Sequence, residues 1–201
     1  MRSLPHLRLP RNARCVMETS GAQLVEFAVA LPLLVVFVVG IFDFSGAFTL
    51  KQKLTNVARD AARAAAAAPS NDLSNATPAS VTAAYQVVNN YFTANGLSTC
   101  GVASSGSSGL TWTYSGTSGC PPGGLTIKIN RGYYFPASSG ATIANVACTS
   151  QAAGTLTAVL STCVSIQYGY GWRFGRVASL LGSNTILPNT LTVTAVAMNE
   201  N

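Results

Sequence analysis

Residues 27–42 run for 16 positions without a charged side chain, and Glu26 and Asp43 bracket the run. A helix that crosses a bilayer needs about 20 apolar residues, within a range of roughly 17–25. Adding residues 22–25 and 45–50 reaches that length and leaves the two acids near the interfaces. The run therefore predicts a membrane-spanning helix. Pro32 lies inside it, where neighbouring groups can re-satisfy the freed carbonyl, and Gly40 and Gly46 are soft points. A cleaved secretory signal is the rival reading, since the preceding residues are basic. Its small-residue cleavage positions would be the alanines at 64–68, more than 20 residues past the apolar core. That is too far, and alanine is the strongest helix former.

Composition agrees with an anchor plus a neutral exported surface. Charged residues make up 9% of the chain and hydrophobic residues 48%, against about 25% charged in soluble globular proteins. The net charge is +6, but Arg2, Arg8, Arg11 and Arg14 precede the span, and Lys51, Lys53, Arg59 and Arg63 follow it. That symmetry leaves the positive-inside rule undecided. Nucleic-acid binding calls for a basic patch on a folded surface, and the charges flanking the span do not make one.

The stretch Ser20-Gly21-Ala22-Gln23-Leu24-Val25-Glu26-Phe27-Ala28 places a Gly five residues before a Glu, then an aromatic, at the mouth of the apolar run. This resembles the processing site of type IV prepilins, which a membrane peptidase cuts after the Gly. Glycine has little helix preference and no side chain to obstruct an extended backbone. An acid in the first turns of a helix is favoured by the positive end of the helix dipole, yet near lipid it needs a partner. The resemblance continues through Val25-Glu26-Phe27-Ala28 and Leu31-Pro32, Gly40-Ile41-Phe42-Asp43-Phe44-Ser45, Lys51-Gln52-Lys53-Leu54 and Ala58-Arg59-Asp60-Ala61-Ala62-Arg63-Ala64. Over these roughly 45 residues the chain is similar to the TadE-like family of tight-adherence (Flp) pilus pseudopilins, and Leu191-Thr192-Val193-Thr194-Ala195-Val196-Ala197-Met198 is similar to that family's closing strand. In one departure, Thr19-Ser20 replaces the basic residue often found before the Gly.

The resemblance implies cleavage between Gly21 and Ala22, with Glu26 and Phe27 in assembly. The freed amine of Ala22 on one subunit would meet Glu26 of a neighbour. The implied partners are a prepilin peptidase, other pilins and pseudopilins, and the pilus assembly machinery. The implied location is the bacterial inner membrane, with a cytoplasmic N-terminus, a periplasmic head and possible entry into the pilus.

The organisation expected is a leader over 1–21, a transmembrane and stem helix over 22–68, and an α+β head over 69–201 with a small antiparallel sheet. Leu50, Leu54, Val57, Ala58, Ala61 and Ala65 recur at helical spacing, with Arg59, Asp60 and Arg63 on the other side. This carries the helix beyond the membrane until Pro69 ends it. The Ala stripe permits close packing, on the head rather than on a neighbouring helix. Thr77-Pro78 reads as an N-cap and first helical position, and Val81, Ala84, Tyr85, Val88 and Phe92 line one face of a second helix over 78–95. Alternating segments predict strands at 125–130, 163–170 and 191–197, with a short one at 110–114. A short helix is expected at 174–181, and packed aromatics in a bend at Tyr170 and Trp172.

Cys15 precedes the span. Cys100, Cys120, Cys148 and Cys163 follow it, an even set that reads as two disulfides in an oxidising compartment. Four cysteines allow three pairings; Cys100–Cys120 and Cys148–Cys163 are favoured because each closes a flexible Ser/Thr/Gly-rich loop. A zinc site would want close Cys pairs or histidines, and the single histidine, His6, lies in the leader. Beyond Gly21, neither a Ser-His-Asp set nor a Cys-His pair can be assembled, and there is no phosphate-binding loop. No cofactor, metal or small-molecule substrate is indicated. A pilus subunit is the leading expectation, a signal-anchored periplasmic binding module the second, and an exported enzyme the third.

Overall fold

The computed structural model describes residues 19–69, 71–136, 148, 158–173 and 188–200. Two compact units emerge, Met1–Val38 and Val39–Asn201. Helix α1 spans Thr19–Ala66, 48 residues that include Pro32, so it starts three residues before the expected position and ends two residues earlier.

The larger unit is α+β. Helix α2 covers Ala79–Ala94, and five strands follow: β1 Ala103–Ser108, β2 Thr111–Gly116, β3 Leu125–Pro136, β4 Ala158–Gly169 and β5 Thr190–Met198. They form one antiparallel sheet in the sequential order β1-β2-β3-β4-β5. Alternation puts Leu125, Ile127 and Ile129 of β3, and Val164, Ile166 and Tyr168 of β4, on the face that meets the helices. The helices answer with Leu54, Val57, Ala58, Ala61, Ala62 and Ala65 from α1 and Val81, Ala84, Val88 and Phe92 from α2. The Ala stripe thus packs on the chain's own head. Small side chains let the helix lie close to its neighbours, while the bulk comes from the strands and α2. Tyr85 stacks on Tyr114 at 4.5 Å, and Phe92 meets Tyr168 edge-on at 5.5 Å. Burial pushes the Tyr114 and Tyr168 phenols up from their ordinary value, with neighbouring Tyr85 adding to the shift at Tyr114.

Two local expectations change. Pro78 is the N-cap of α2, with no side-chain cap hydrogen bond of its own. The first helical N–H, at Ala79, donates instead to Asp72 Oδ2 at 2.6 Å. The cap therefore comes from an acid seven residues upstream that the local pattern did not reveal. Strand β1 is the second change. It forms within the Ser/Gly-rich stretch and pairs with β2 through a register shift between Ser104 and Gly106. The helix expected at 174–181 lies outside the described residues.

A bulge in β3 decides what each face of the sheet carries. Asn130 pairs with Cys163 and Tyr133 with Ser161, so Arg131 and Gly132 together oppose Thr162. An inserted residue re-aims the side chains beyond it. Tyr133 consequently joins Cys148 and Cys163 in a second apolar cluster, with Val196 packed against it, while Arg131 stays on the helix side.

Candidate functional site

The residues singled out for assembly all lie on the first turns of α1. Gly21, Ala22, Val25, Glu26, Val29, Ala30 and Leu33 share one surface of the helix, as the i, i+3, i+4 spacing requires. Gly21 and Ala22 are helical here, whereas extended backbone was expected at a cleavage point. Helix ends fray easily, and among the described residues a β-carbon added at Gly21 would meet nothing within 4 Å. Glu26 is exposed amid apolar neighbours. Phe27 is 66% exposed, and most of the large apolar side chains from Leu24 to Phe48 are exposed too, among them Leu24, Leu33, Phe37, Ile41 and Phe42. A helix this long and apolar passes the length and composition test for crossing a membrane.

At its other end α1 is held by a polar centre that the sequence reading missed. Arg131 is 1% exposed. Its guanidinium donates to the carbonyls of Ala65 and Ala68, the latter at 3.0 Å, to Thr162 Oγ1 at 2.7 Å and to Asn199 Oδ1 at 3.0 Å. The last carbonyls of a helix have no intrahelical donor, and the negative end of the dipole favours a cation there. The Asn199 side-chain nitrogen donates to the Arg131 carbonyl at 3.4 Å, and the Thr162 hydroxyl to Asn199 Oδ1 at 2.6 Å. Burial lowers the Arg131 pKa from its ordinary value, while the charge of Asp72 opposes that shift. The available signal was a charge breaking the alternation of an apolar strand, directly before a glycine.

The cysteines are brought together as Cys100 with Cys120 and Cys148 with Cys163, at Cα separations of 5.2 Å and 5.6 Å. The first pair ties the end of the α2–β1 connection to the β2–β3 turn. The second holds Cys148 against the face of the sheet away from the helices, where its carbonyl accepts from Asn130 Nδ2 at 2.8 Å. Closing loops of this size contributes about 3 kcal/mol each in a chain-entropy account. Peptide mapping of the unreduced protein should recover these two linkages, and reduction should lower the unfolding midpoint. Recovery of a Cys100–Cys163 or Cys120–Cys148 peptide would contradict the arrangement.

Among the described residues, no group of three or more His, Cys, Asp or Glu side chains is placed to hold a metal ion. No curated protein and no solved structure matches the chain. Residues 21–63 match the family model described as TadE-like protein, so the apolar helix with its Gly21–Glu26 entrance is similar to that pilus-associated family.

Proposed function

We propose that the chain is a minor pilin or pseudopilin of a tight-adherence pilus, cut after Gly21 and packed into its assembly through α1. The observation that carries this is the apolar surface of α1 from Leu24 to Phe48, left exposed and headed by a Glu five residues beyond a Gly within the TadE-like match.

Removing the leader has two physical consequences. First, Arg2, Arg8, Arg11 and Arg14 no longer have to enter hydrocarbon when the subunit leaves the membrane; each costs about 2.5 kcal/mol or more at mid-bilayer. Second, it creates an amine at Ala22 four residues before Glu26. Glu26 lies two turns into α1 as the helix stands, where the dipole is weak. After cleavage it becomes the fifth residue, in the turns where an acid is favoured. Its carboxylate can then meet the Ala22 amine of an adjacent subunit while the apolar side chains pack side to side. A membrane peptidase, other pilins and a periplasmic position for the disulfide-bearing head belong to this reading.

Intact-mass measurement of the protein purified from its native membrane tests it. The expected species begins at Ala22. A species that begins at Met1 overturns the assignment and leaves an anchored binding module.

A further inference from the structure

A cleft of about 700 Å³ lies between the middle of α1 and the segment that follows β4, lined by Val39, Phe42, Asp43, Gly46, Tyr170 and Arg173 among others. The Tyr170 hydroxyl donates to the Asp43 carbonyl at 2.9 Å and lies 3.4 Å from Asp43 Oδ1. Burial raises the Tyr170 pKa above its ordinary value, and the charge of Asp43 raises it further, so the hydroxyl stays a donor at neutral pH. Gly46 makes room for it, because a β-carbon there would stand 2.9 Å from the hydroxyl oxygen. Trp172 packs edge-on to Tyr170 at 4.8 Å and tilted against Phe44 at 5.3 Å. The Trp172 indole N–H donates to the Pro188 carbonyl at 2.6 Å.

Three observations identify what such a cleft takes. Asp43 is the first charge after the uncharged run, so on a spanning α1 it marks the depth of the phospholipid headgroups. Tyr and Trp are the side chains enriched at that depth. The cleft also carries both signs of charge, an exposed Arg173 and a 6% exposed Asp43. Phe42 and Ile41, 74% and 68% exposed, continue from it toward the apolar run.

We propose that this cleft binds the headgroup of an aminophospholipid of the phosphatidylethanolamine type, with its phosphate on Arg173, its ammonium toward Asp43 and its acyl chains along α1 from Phe42. A guanidinium gives phosphate a forked, charge-assisted contact. A primary ammonium can donate hydrogen bonds to a carboxylate wall, and the methylated ammonium of phosphatidylcholine cannot. The inference rests on the membrane-spanning part of the reading above and not on processing after Gly21.

The test uses the full chain in mild detergent, offered equal amounts of phosphatidylethanolamine and phosphatidylcholine, with bound lipid counted by native mass spectrometry. Wild type should retain phosphatidylethanolamine about fivefold over phosphatidylcholine, the size of one near-surface charged contact. Arg173→Gln, an exposed position, should keep the circular dichroism of wild type and retain several-fold less of both lipids, because both carry the phosphate, while Asp43→Asn should lose most of the preference between them. Equal retention of the two lipids by wild type, undiminished lipid retention in Arg173→Gln, or an undiminished preference in Asp43→Asn overturns the proposal. Flotation on phosphatidylethanolamine/phosphatidylglycerol vesicles separates the two claims. A chain that does not float fails the membrane reading and the lipid site together. One that floats without lipid preference fails the lipid site alone.

Discussion

Replacing Arg131 with alanine is expected to lower the stability of the head by about 2–4 kcal/mol, from buried acceptors that lose a donor and from the cavity left behind. The side chain is almost fully enclosed, and four oxygens depend on its guanidinium: the carbonyls of Ala65 and Ala68, Thr162 Oγ1 and Asn199 Oδ1. The alanine takes the guanidinium from the Ala68 carbonyl, at about 1–3 kcal/mol, and from the Ala65 carbonyl, which keeps the Ala68 N–H at 3.3 Å, and it opens a cavity between α1 and the sheet. Arg131→Lys is the informative companion. It preserves the cation near the helix C-terminus but loses the fork that reaches Ala65 and Ala68 at once, so it should fall between the two. Urea unfolding of the full chain in detergent, followed by near-ultraviolet circular dichroism of buried Trp112, gives the comparison. An Arg131→Ala midpoint that implies a loss below about 1 kcal/mol would show that water or a rearranged Asn199 replaces the guanidinium.

The second large effect is functional. Glu26→Ala should abolish piliation while leaving the amount of protein in the membrane unchanged. The substitution removes one exposed carboxylate from a surface otherwise made of Ala22, Val25, Val29, Ala30 and Leu33. The carboxylate is exposed, so stability and insertion should hold or improve, since a charge near lipid is costly. On the proposed function, what disappears is the acceptor for the Ala22 amine of the next subunit. Glu26→Gln keeps the size and hydrogen bonding but not the charge, and should fail as well if the contact is ionic. Normal piliation in Glu26→Ala would reduce the acid to a topological stop and favour the anchored binding module.

Much of this protein was legible in the chain because the relevant forces are local. The long apolar helix, long enough to cross a membrane, follows from residues 27–42. The amphipathic stripes of α1 and α2 follow from helical periodicity, and the strands from alternation in β3, β4 and β5. The Gly21–Glu26 pattern lies in the first turns of that helix and within the matched residues.

Where the sequence fell short, the partner sat far along the chain. Asp72 caps α2 from seven residues away, and β1 forms in a segment of weak strand preference because β2 offers it a hydrogen-bonding edge. Arg131 lies just past the strand expected at 125–130, and only the fold places it on the helix side, where it donates to carbonyls 63 and 66 positions away. Tyr170 reaches Asp43 across 127 positions. The sequence by itself determined which segments prefer apolar surroundings and which backbone they adopt, because those preferences are set within a few residues. Only the tertiary structure decided which buried polar groups meet, because a buried donor must find its acceptor in space and distance along the chain does not enter that requirement.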